Sequence, residues 1–235
     1  MLIIDVITIF PEMFKDITSY GVIRQAFAKK LCELNVYNLR DFSRDKHKKV
    51  DDRPYGGGPG MVMMVQPIYD AVMFIKSKNE GKISSLKNQK TILLSPRGEK
   101  LTQATLKYIS TLENIILICG RYEGVDERVV ELLVDIELSI GDYVLTGGEI
   151  PAMVVIDGVI RLLPGVVGKS ESLEHESFEN GLLDYPQYTR PCVFKGLKVP
   201  DVLLSGDHAK IEKWRKEKSL ELTRKRREDL FDKKS

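Results

Sequence analysis

Two short apolar runs, each ending in a glycine-bearing polar loop, most constrain the fold of this sequence. Ile115–Cys119 is apolar enough for a fully buried strand, and the loop Gly120–Asp126 follows it. Ile136–Ile140 is followed in the same way by Gly141–Glu149. In an open α/β sheet, ligands bind beyond the carboxyl ends of the strands, and glycine lets backbone groups approach a ligand closely. The two loops therefore predict a small-molecule pocket at one edge of a parallel sheet.

Strand and helix patterns alternate along this part of the chain. Besides the two runs above, the predicted strands are Leu2–Phe10, Val36–Phe42 and Thr91–Ser95. The predicted helices are Glu12–Leu34, which is interrupted or bent at Gly21, and Val65–Lys78, Asp126–Val134 and Glu149–Leu163. The segment Ser95–Gly98 predicts a sharp turn before a further helix that Thr102 could cap. This alternation predicts an α/β fold with a mostly parallel sheet flanked by helices.

The motifs that the sequence lacks narrow the type of ligand. No G-x-G-x-x-G follows a predicted strand and no G-x-x-x-x-G-K-[ST] occurs, so neither a dinucleotide nor a P-loop triphosphate site is indicated. The glycine loops also lack the clustered Lys and Arg that phosphates favour. We therefore expect a ligand that carries little phosphate and is held largely by backbone groups.

Composition predicts a globular cytoplasmic protein with no membrane span. With 235 residues, 43% of them hydrophobic and 30% charged, the chain can bury a sizeable core. Its longest apolar run, Leu2–Phe10, contains Asp5 and is too short to cross a bilayer. The three cysteines, Cys32, Cys119 and Cys192, form no C-x-x-C pair, so we expect neither a disulfide framework nor a zinc site.

Two basic segments favour a nucleic-acid partner although the net charge is only +2. Arg44–Arg53 is rich in Lys and Arg and leads into the glycine-rich segment Pro54–Gly60. Lys210–Glu228 holds nine Lys or Arg against four Glu on a helical pattern. Each segment could instead be a solvated loop or helix face, but two basic segments in one chain favour contact with phosphates.

Three longer motifs resemble the bacterial tRNA (guanine-N1)-methyltransferase family TrmD. They are D-D-R-P-Y-G-G-G-P-G-M at Asp51–Met61, C-G-R-Y-E-G-V-D-E-R at Cys119–Arg128 and S-I-G-D-Y-V-L-T-G-G-E at Ser139–Glu149. Shorter matches are L-L-P-G-V at Leu162–Val166, Y-T-R-P at Tyr188–Pro191 and V-L-L-S-G at Val202–Gly206. The likeness covers essentially the whole chain in order.

The resemblance implies a SPOUT-class α/β fold with a deep trefoil knot and a small helical C-terminal domain. It divides the chain into a knotted cofactor-binding domain at residues 1–165, a flexible linker or active-site lid at 166–190 and a helical tRNA-binding domain at 191–235. It further implies a homodimer with active sites at the interface. The implied reaction is methylation of N1 of the guanosine 3′ of the anticodon in tRNA, with S-adenosylmethionine as the methyl donor and Mg²⁺ as a possible aid. No metal-ligand spacing in the sequence marks a metal site.

Family positions assign the cofactor-binding residues by similarity. An alternative is that these residues form tight turns whose role is to pack the knot, because such turns use the same residue types. The implied donor-binding residues are Leu94, Ser95, Pro96, Gly120, Ile140, Gly141, Asp142, Tyr143, Val144, Leu145, Gly147, Gly148 and Pro151.

The chemistry of the implied reaction calls for a carboxylate near guanine N1 and a cation near O6, because N1 loses a proton as charge builds on O6. By similarity, Glu123 and Ser177 contact the substrate, and Arg161 is the cation, although it could instead pair with Asp157 one turn earlier. The aligned base is Glu176, in H-E-S-F, where the best-known members read E-D-S-F.

Other assignments of the base and of the function stay open. Asp184, which also matches a family carboxylate, and Glu174 compete with Glu176 for the role of the base. An alternative enzyme is a SPOUT-type methyltransferase with another RNA target. A third reading is a non-catalytic RNA-binding relative, which the altered base position makes conceivable.

Overall fold

A computed structural model of the chain describes residues 1–167 and 176–231. The chain divides into two compact units, Met1–Gly168 and Lys169–Ser235. No helix among the described residues is long and apolar enough to cross a bilayer.

The first unit is built on a five-stranded parallel sheet with the strand order β2-β1-β6-β5-β7. The strands are β1 (Leu2–Thr8), β2 (Cys32–Asn38), β5 (Gln89–Lys100), β6 (Asn114–Cys119) and β7 (Ile136–Ser139). Every residue of β1 and β6 is buried, as continuous apolar strands covered on both faces require. The predicted α/β fold with a parallel sheet is confirmed.

Five helices of the first unit cover the two faces of the sheet. They are α1 (Gly21–Ala28), α2 (Val65–Asn79), α3 (Gln103–Ser110), α4 (Glu127–Leu133) and α5 (Glu149–Ile160). Ile115, Leu117 and Cys119 of β6 share one apolar core with α1, α3 and α5. Ile116 and Ile118 share a second core with α2 and α4. Because side chains alternate between the faces of a strand, one apolar run supplies both cores.

A short hairpin carries the glycine-rich segment that begins at Pro54. Its strands are β3 (Asp51–Asp52) and β4 (Val62–Met63), which pair antiparallel.

The predicted helix Glu12–Leu34 and the strand after it are wrong at their boundaries. Only a 3-10 turn, Pro11–Phe14, and α1 are helical, and β2 already begins at Cys32. The helix ends because Lys30 has a φ of 55° and Leu31 N–H donates to the carbonyl of Ala26, which turns the chain. The predicted strand to Phe42 stops at Asn38, whose side chain caps the 3-10 turn Leu39–Phe42.

The sharp turn predicted at Ser95–Gly98 is also wrong. These residues belong to β5, which runs on to Lys100, with a shift of its register against β7 between Leu94 and Glu99. Leu94 and Glu99 of β5 both pair with Leu138 of β7, so the residues between them bulge out of the strand pairing. The predicted helix cap is confirmed, since the Thr102 hydroxyl accepts from Thr105 N–H.

The described residues of the second unit form a short hairpin, two α-helices and a 3-10 turn at Glu228–Leu230. The strands and α-helices are β8 (Val193–Phe194), β9 (Leu197–Lys198), α6 (Asp201–Leu204) and α7 (His208–Arg226). The Thr223 hydroxyl of α7 accepts from Leu183 N–H at 2.9 Å. This bond ties the helix to the irregular segment that precedes the hairpin.

Candidate active site

Three irregular loops meet at one edge of the sheet and line a cavity of about 320 Å³. One is the bulge within β5 after Leu94, and the other two follow Cys119 at the end of β6 and Ser139 at the end of β7. Because β6, β5 and β7 are neighbours in a parallel sheet, their carboxyl ends lie at one edge. The volume lies within the roughly 300–1,000 Å³ typical of small-molecule sites.

Glycines let the backbones of these loops pack closer than side chains would allow. Gly148 N–H donates to the carbonyl of Gly120 at 2.8 Å. A Cβ atom on Gly148 would lie 2.7 Å from Cα of Cys119, which is backbone and cannot move aside. Gly141 has a φ of 154°, and the ring of Tyr143 packs directly against it. The glycines therefore allow the loops that line the cavity to pack closely against one another.

A buried ion pair joins the loop after β6 to the loop after β7. The guanidinium of Arg121 donates from Nε to Glu149 Oε2 at 2.8 Å and from a terminal nitrogen to the carbonyl of Thr146 at 3.1 Å. Glu149 is fully buried and also accepts from the Thr8 hydroxyl at 2.7 Å. Its carboxylate lies in the first turn of α5, where the helix dipole favours negative charge.

Glu123 lies where the glycine-rich segment meets the cavity. Its N–H donates to the carbonyl of Met61 at 3.0 Å, and Gly124 accepts from Met63 N–H at 2.9 Å. The Glu123 side chain packs on Gly60, at which any Cβ atom would collide with it. The predicted substrate residue thus lines the cavity, beside the glycine segment.

Twelve of the thirteen predicted donor-binding residues line the cavity and one does not. The exception is Asp142, whose carboxylate points to Lys100 at 2.6 Å and is 83% exposed. Sequence reasoning did not assign several lining residues, although four of them, Arg121, Tyr122, Gly124 and Val125, lie within the motif at Cys119–Arg128. The unassigned lining residues are Leu93, Arg97, Arg121, Tyr122, Gly124, Val125, Leu138, Ser139 and Thr146.

Arg161 lies away from this cavity. It follows the last residue of α5, whose first residue, Glu149, adjoins the cavity. At a rise of about 1.5 Å per residue, the helix of 12 residues spans roughly 18 Å. Arg161 instead lines a separate surface cavity with Asp157 and with Tyr20 and Val22 of the α1 region. The cavity and the predicted O6 cation therefore lie near opposite ends of one helix.

Glu176, Ser177 and Asp184 belong to the second unit. The structure brings two of them together, because Asp184 N–H donates to the Ser177 hydroxyl at 2.9 Å. The Asp184 carboxylate accepts from Tyr185 N–H at 2.7 Å and from the Gln187 amide at 3.2 Å. Glu174, the third candidate for the base, lies outside the described residues.

The Cys119 thiol lies at the end of β6, beside the cavity. Burial, with a smaller contribution from the Glu149 charge, raises the pKa of the Cys119 thiol well above its ordinary value, so the thiol stays protonated. The Cys119 thiol therefore does not supply a thiolate at the site. The residues that the structure describes contain no group of three or more His, Cys, Asp or Glu that could hold a metal ion.

Comparisons with known proteins agree with this geometry. The profile of the family described as tRNA (Guanine-1)-methyltransferase TrmD matches residues 2–233. A tRNA (guanine-N(1)-)-methyltransferase of Ruminiclostridium cellulolyticum is 55% identical over 97% of this chain and 96% of its own length. Proteins of the same name from Clostridioides difficile and Vibrio vulnificus are 51% and 54% identical over 97% of this chain, covering 96% and 90% of their own lengths.

Proposed function

The chain belongs to the tRNA (guanine-1)-methyltransferase family TrmD, and on that premise we propose that it methylates N1 of the guanosine 3′ of the anticodon in tRNA. The single observation that carries this proposal is the glycine-walled cavity at the carboxyl ends of β5, β6 and β7. The cavity and the family together favour an enzyme over a relative that only binds RNA.

The cavity fits S-adenosylmethionine, which supplies an electrophilic methyl group when bound. Its volume suits a ligand of nucleoside size, and Gly120 and Gly148, which pack closely against each other, both line it. Twelve of the residues that we assign to the donor by similarity line it. We assign Asp142 an indirect part, since its carboxylate pairs with Lys100.

The reaction needs an acceptor for the N1 proton and a cation beside O6. Glu176 takes the proton from N1 as the new N–C bond forms, and Arg161 stabilises the negative charge that builds on O6. Glu123 and Ser177 hold the purine, and Asp184 is the alternative base. The extra methylene of Glu176, relative to the family aspartate, lengthens its reach without changing the reactive group.

A homodimer would bring Arg161 and the cavity together, although they lie far apart within one chain. Pro151 of α5 lines the cavity, and at about 1.5 Å per residue the ten residues from there to Arg161 span roughly 15 Å, too far for one side chain to bridge. A second copy can bring its Arg161 to this cavity. Ile150 and Val154, one turn apart on α5, are 51% and 43% exposed and offer an apolar surface for that contact.

The remaining parts of the proposal follow from the tRNA substrate. The knotted domain comprises residues 1–165, and 191–235 bind tRNA with the basic helix α7, aided by Arg44–Arg53. A lid at 166–190 stays a prediction, because residues 168–175 lie outside the described part of the chain. A tRNA substrate also assigns the enzyme to the cytoplasm. A role for Mg²⁺ stays a prediction of the family resemblance, and no cluster of three or more His, Cys, Asp or Glu among the described residues marks a site for it.

The test uses labelled S-adenosylmethionine and two tRNA transcripts that differ only in having guanosine or adenosine 3′ of the anticodon. We expect the purified chain to label the first transcript alone, with the label at N1. A different labelled position would indicate another RNA target, and tRNA binding without label would indicate the non-catalytic relative.

The role of Glu176 is tested by Glu176→Gln. We expect loss of methyl transfer with unchanged donor affinity, and recovery in Glu176→Asp, which restores the family's usual carboxylate. Glu179→Gln, three residues along the chain, is the matched control. Near-normal turnover of Glu176→Gln would refute the assignment and direct attention to Asp184.

A further inference from the structure

We infer that Arg121 and Glu149 are positioning residues that hold the mouth of the donor cavity in its binding geometry. The inference rests on the proposed methyl-donor site and deepens it. Neither residue is among those that family similarity assigns to donor or substrate.

Arg121 connects several elements around the cavity. It belongs to the loop after β6, and its guanidinium reaches both Glu149 at the start of α5 and the carbonyl of Thr146 in the loop after β7. Arg121 and Gly147 also pair through their backbones as an isolated antiparallel bridge. One side chain thus fixes the separation of two of the three loops that wall the cavity.

The guanidinium of Arg121 is packed between Gly147 and the ring of Phe10. The Arg121 side chain lies so close to Gly147 that a Cβ atom there would collide with it. On its other side the guanidinium stacks on the ring of Phe10, with 4.6 Å from Cζ to the ring centroid. A side chain held by an ion pair, a carbonyl and a ring has little freedom, so it can set the position of the loops.

Glu149 is buried beneath Arg121 and has no contact with solvent. Its side chain is fully buried, and each carboxylate oxygen has a donor, Thr8 on one side and Arg121 on the other. The Thr8 hydroxyl in turn accepts from Phe10 N–H at 2.9 Å, so its proton is directed to Glu149. The end of β1 is therefore a fixed anchor for the carboxylate, and the carboxylate is an anchor for Arg121.

We call the paired side chains of Arg121 and Glu149 the clamp. The proposed substrate residue Glu123 lies close to the clamp along the chain. Glu123 follows Arg121 by two residues in the same loop and lines the same cavity. A shift of Arg121 would move donor-contacting backbone at Gly120 and the proposed purine contact together. We therefore expect loss of the clamp to weaken donor binding first and to lower turnover with it.

The experiment measures the Kd of S-adenosylmethionine by titration calorimetry, and kcat and KM with tRNA, for Arg121→Lys and Glu149→Gln. Lysine keeps the charge but cannot contact Glu149 and the Thr146 carbonyl with a planar fork. We expect each variant to raise the donor Kd by roughly tenfold or more, because the change leaves a buried partner poorly satisfied. The Kd for tRNA without donor should stay unchanged. The double variant should cost less than the sum of the single changes, as expected for groups in one network.

Lys90→Ala is the control, because Lys90 pairs with Asp135 at the opposite end of the same strands. It removes an ion pair from the first unit and should leave the donor Kd unchanged. Circular dichroism at the assay temperature verifies that the variants are folded. Unchanged donor Kd in folded Arg121→Lys and Glu149→Gln overturns the inference alone. A wild-type chain that binds no donor overturns it together with the proposed function.

Discussion

The two units of the chain use charge in opposite ways. The first unit buries the carboxylates of Asp5 and Glu149 completely and surrounds each with hydrogen-bond donors. In the second unit, Thr223 is the one residue of the 19-residue helix α7 that is fully covered, and the ion pair Lys218–Glu221 is largely exposed. Exposed pairs of this kind contribute about 0–1 kcal/mol to stability. The first unit therefore fixes a shape, whereas the second presents a charged surface that tolerates rearrangement.

The largest effect that this contrast predicts comes from Gly148→Ala. The new Cβ atom would lie 2.7 Å from Cα of Cys119 and 2.8 Å from N of Gly120, and both are backbone atoms of the cavity wall. Overpacking costs about 1–3 kcal/mol, which corresponds to roughly 5- to 150-fold in Kd if it falls on the binding loops. Calorimetric titration with S-adenosylmethionine measures it.

Gly206→Ala in the second unit is the matched control. Gly206 has a φ of 71° and nothing within 4 Å of an added Cβ atom, so alanine there is strained but meets no neighbour. We expect an unchanged donor Kd. Equal effects of the two substitutions on donor binding would show that the units do not differ in the way argued above.

A moderate effect is expected from neutralising the last turn of α7. Arg224, Lys225 and Arg226 are exposed, and the triple change to Gln removes three positive charges from the second unit. If all three contact phosphates, the slope of log K against log salt for tRNA binding should fall by about 2–3. Filter binding at several salt concentrations measures the slope, and donor affinity should not change.

The corresponding control lies in the first unit. Lys82 and Lys87 are exposed and lie in the polar segment before β5, which we do not assign to tRNA. Their change to Gln should leave the salt slope as it is in the wild type. A slope that stays the same in the α7 variant would remove α7 from the tRNA-binding surface.

Much of the first unit follows from the sequence because its strands are continuous apolar runs. Ile115–Cys119 is buried on both sides in β6, as its composition predicts. The end of α1 does not follow, because the φ of 55° at Lys30 depends on how the chain must turn into β2. The bulge in β5 also depends on tertiary contact, since it accommodates pairing with β7 at two separate points.

The candidate site also has some parts that the sequence predicts and others that it does not. The glycine loops are visible in the sequence because glycine marks close backbone approach, and they do line one cavity. The clamp of Arg121 and Glu149 is not visible, because its anchor at Thr8 is 141 residues away from Glu149. The roles of Glu176 and Arg161 stay predictions, since they concern a substrate and a second copy of the chain.

The smallest effect, and the last, concerns Asp5 at the centre of the first unit. The Asp5 carboxylate accepts from Asn114 at 2.7 Å, from Asn79 at 2.8 Å and from Asn35 at 3.1 Å, and also from the Tyr37 hydroxyl, on which Lys78 donates. Burial nevertheless raises the pKa of this carboxyl above its ordinary value of 3.8, and the hydrogen bonds only partly offset the desolvation.

A raised pKa makes the folded state bind a proton more tightly than the unfolded state does. The stability that Asp5 contributes is therefore fully present below the ordinary pKa and is lost as the pH rises through the folded-state pKa. Asp5→Asn removes that titration, so the free energy of unfolding of the wild type, measured relative to this variant in urea, should fall between pH 4 and pH 7. Tyr37→Phe removes one donor but keeps the carboxyl, and it should make the total fall larger and extend it to higher pH because the ionised form loses a hydrogen bond. A relative stability that rises with pH would mean that the donors outweigh the desolvation, and the first unit would then gain stability from a charge it buries.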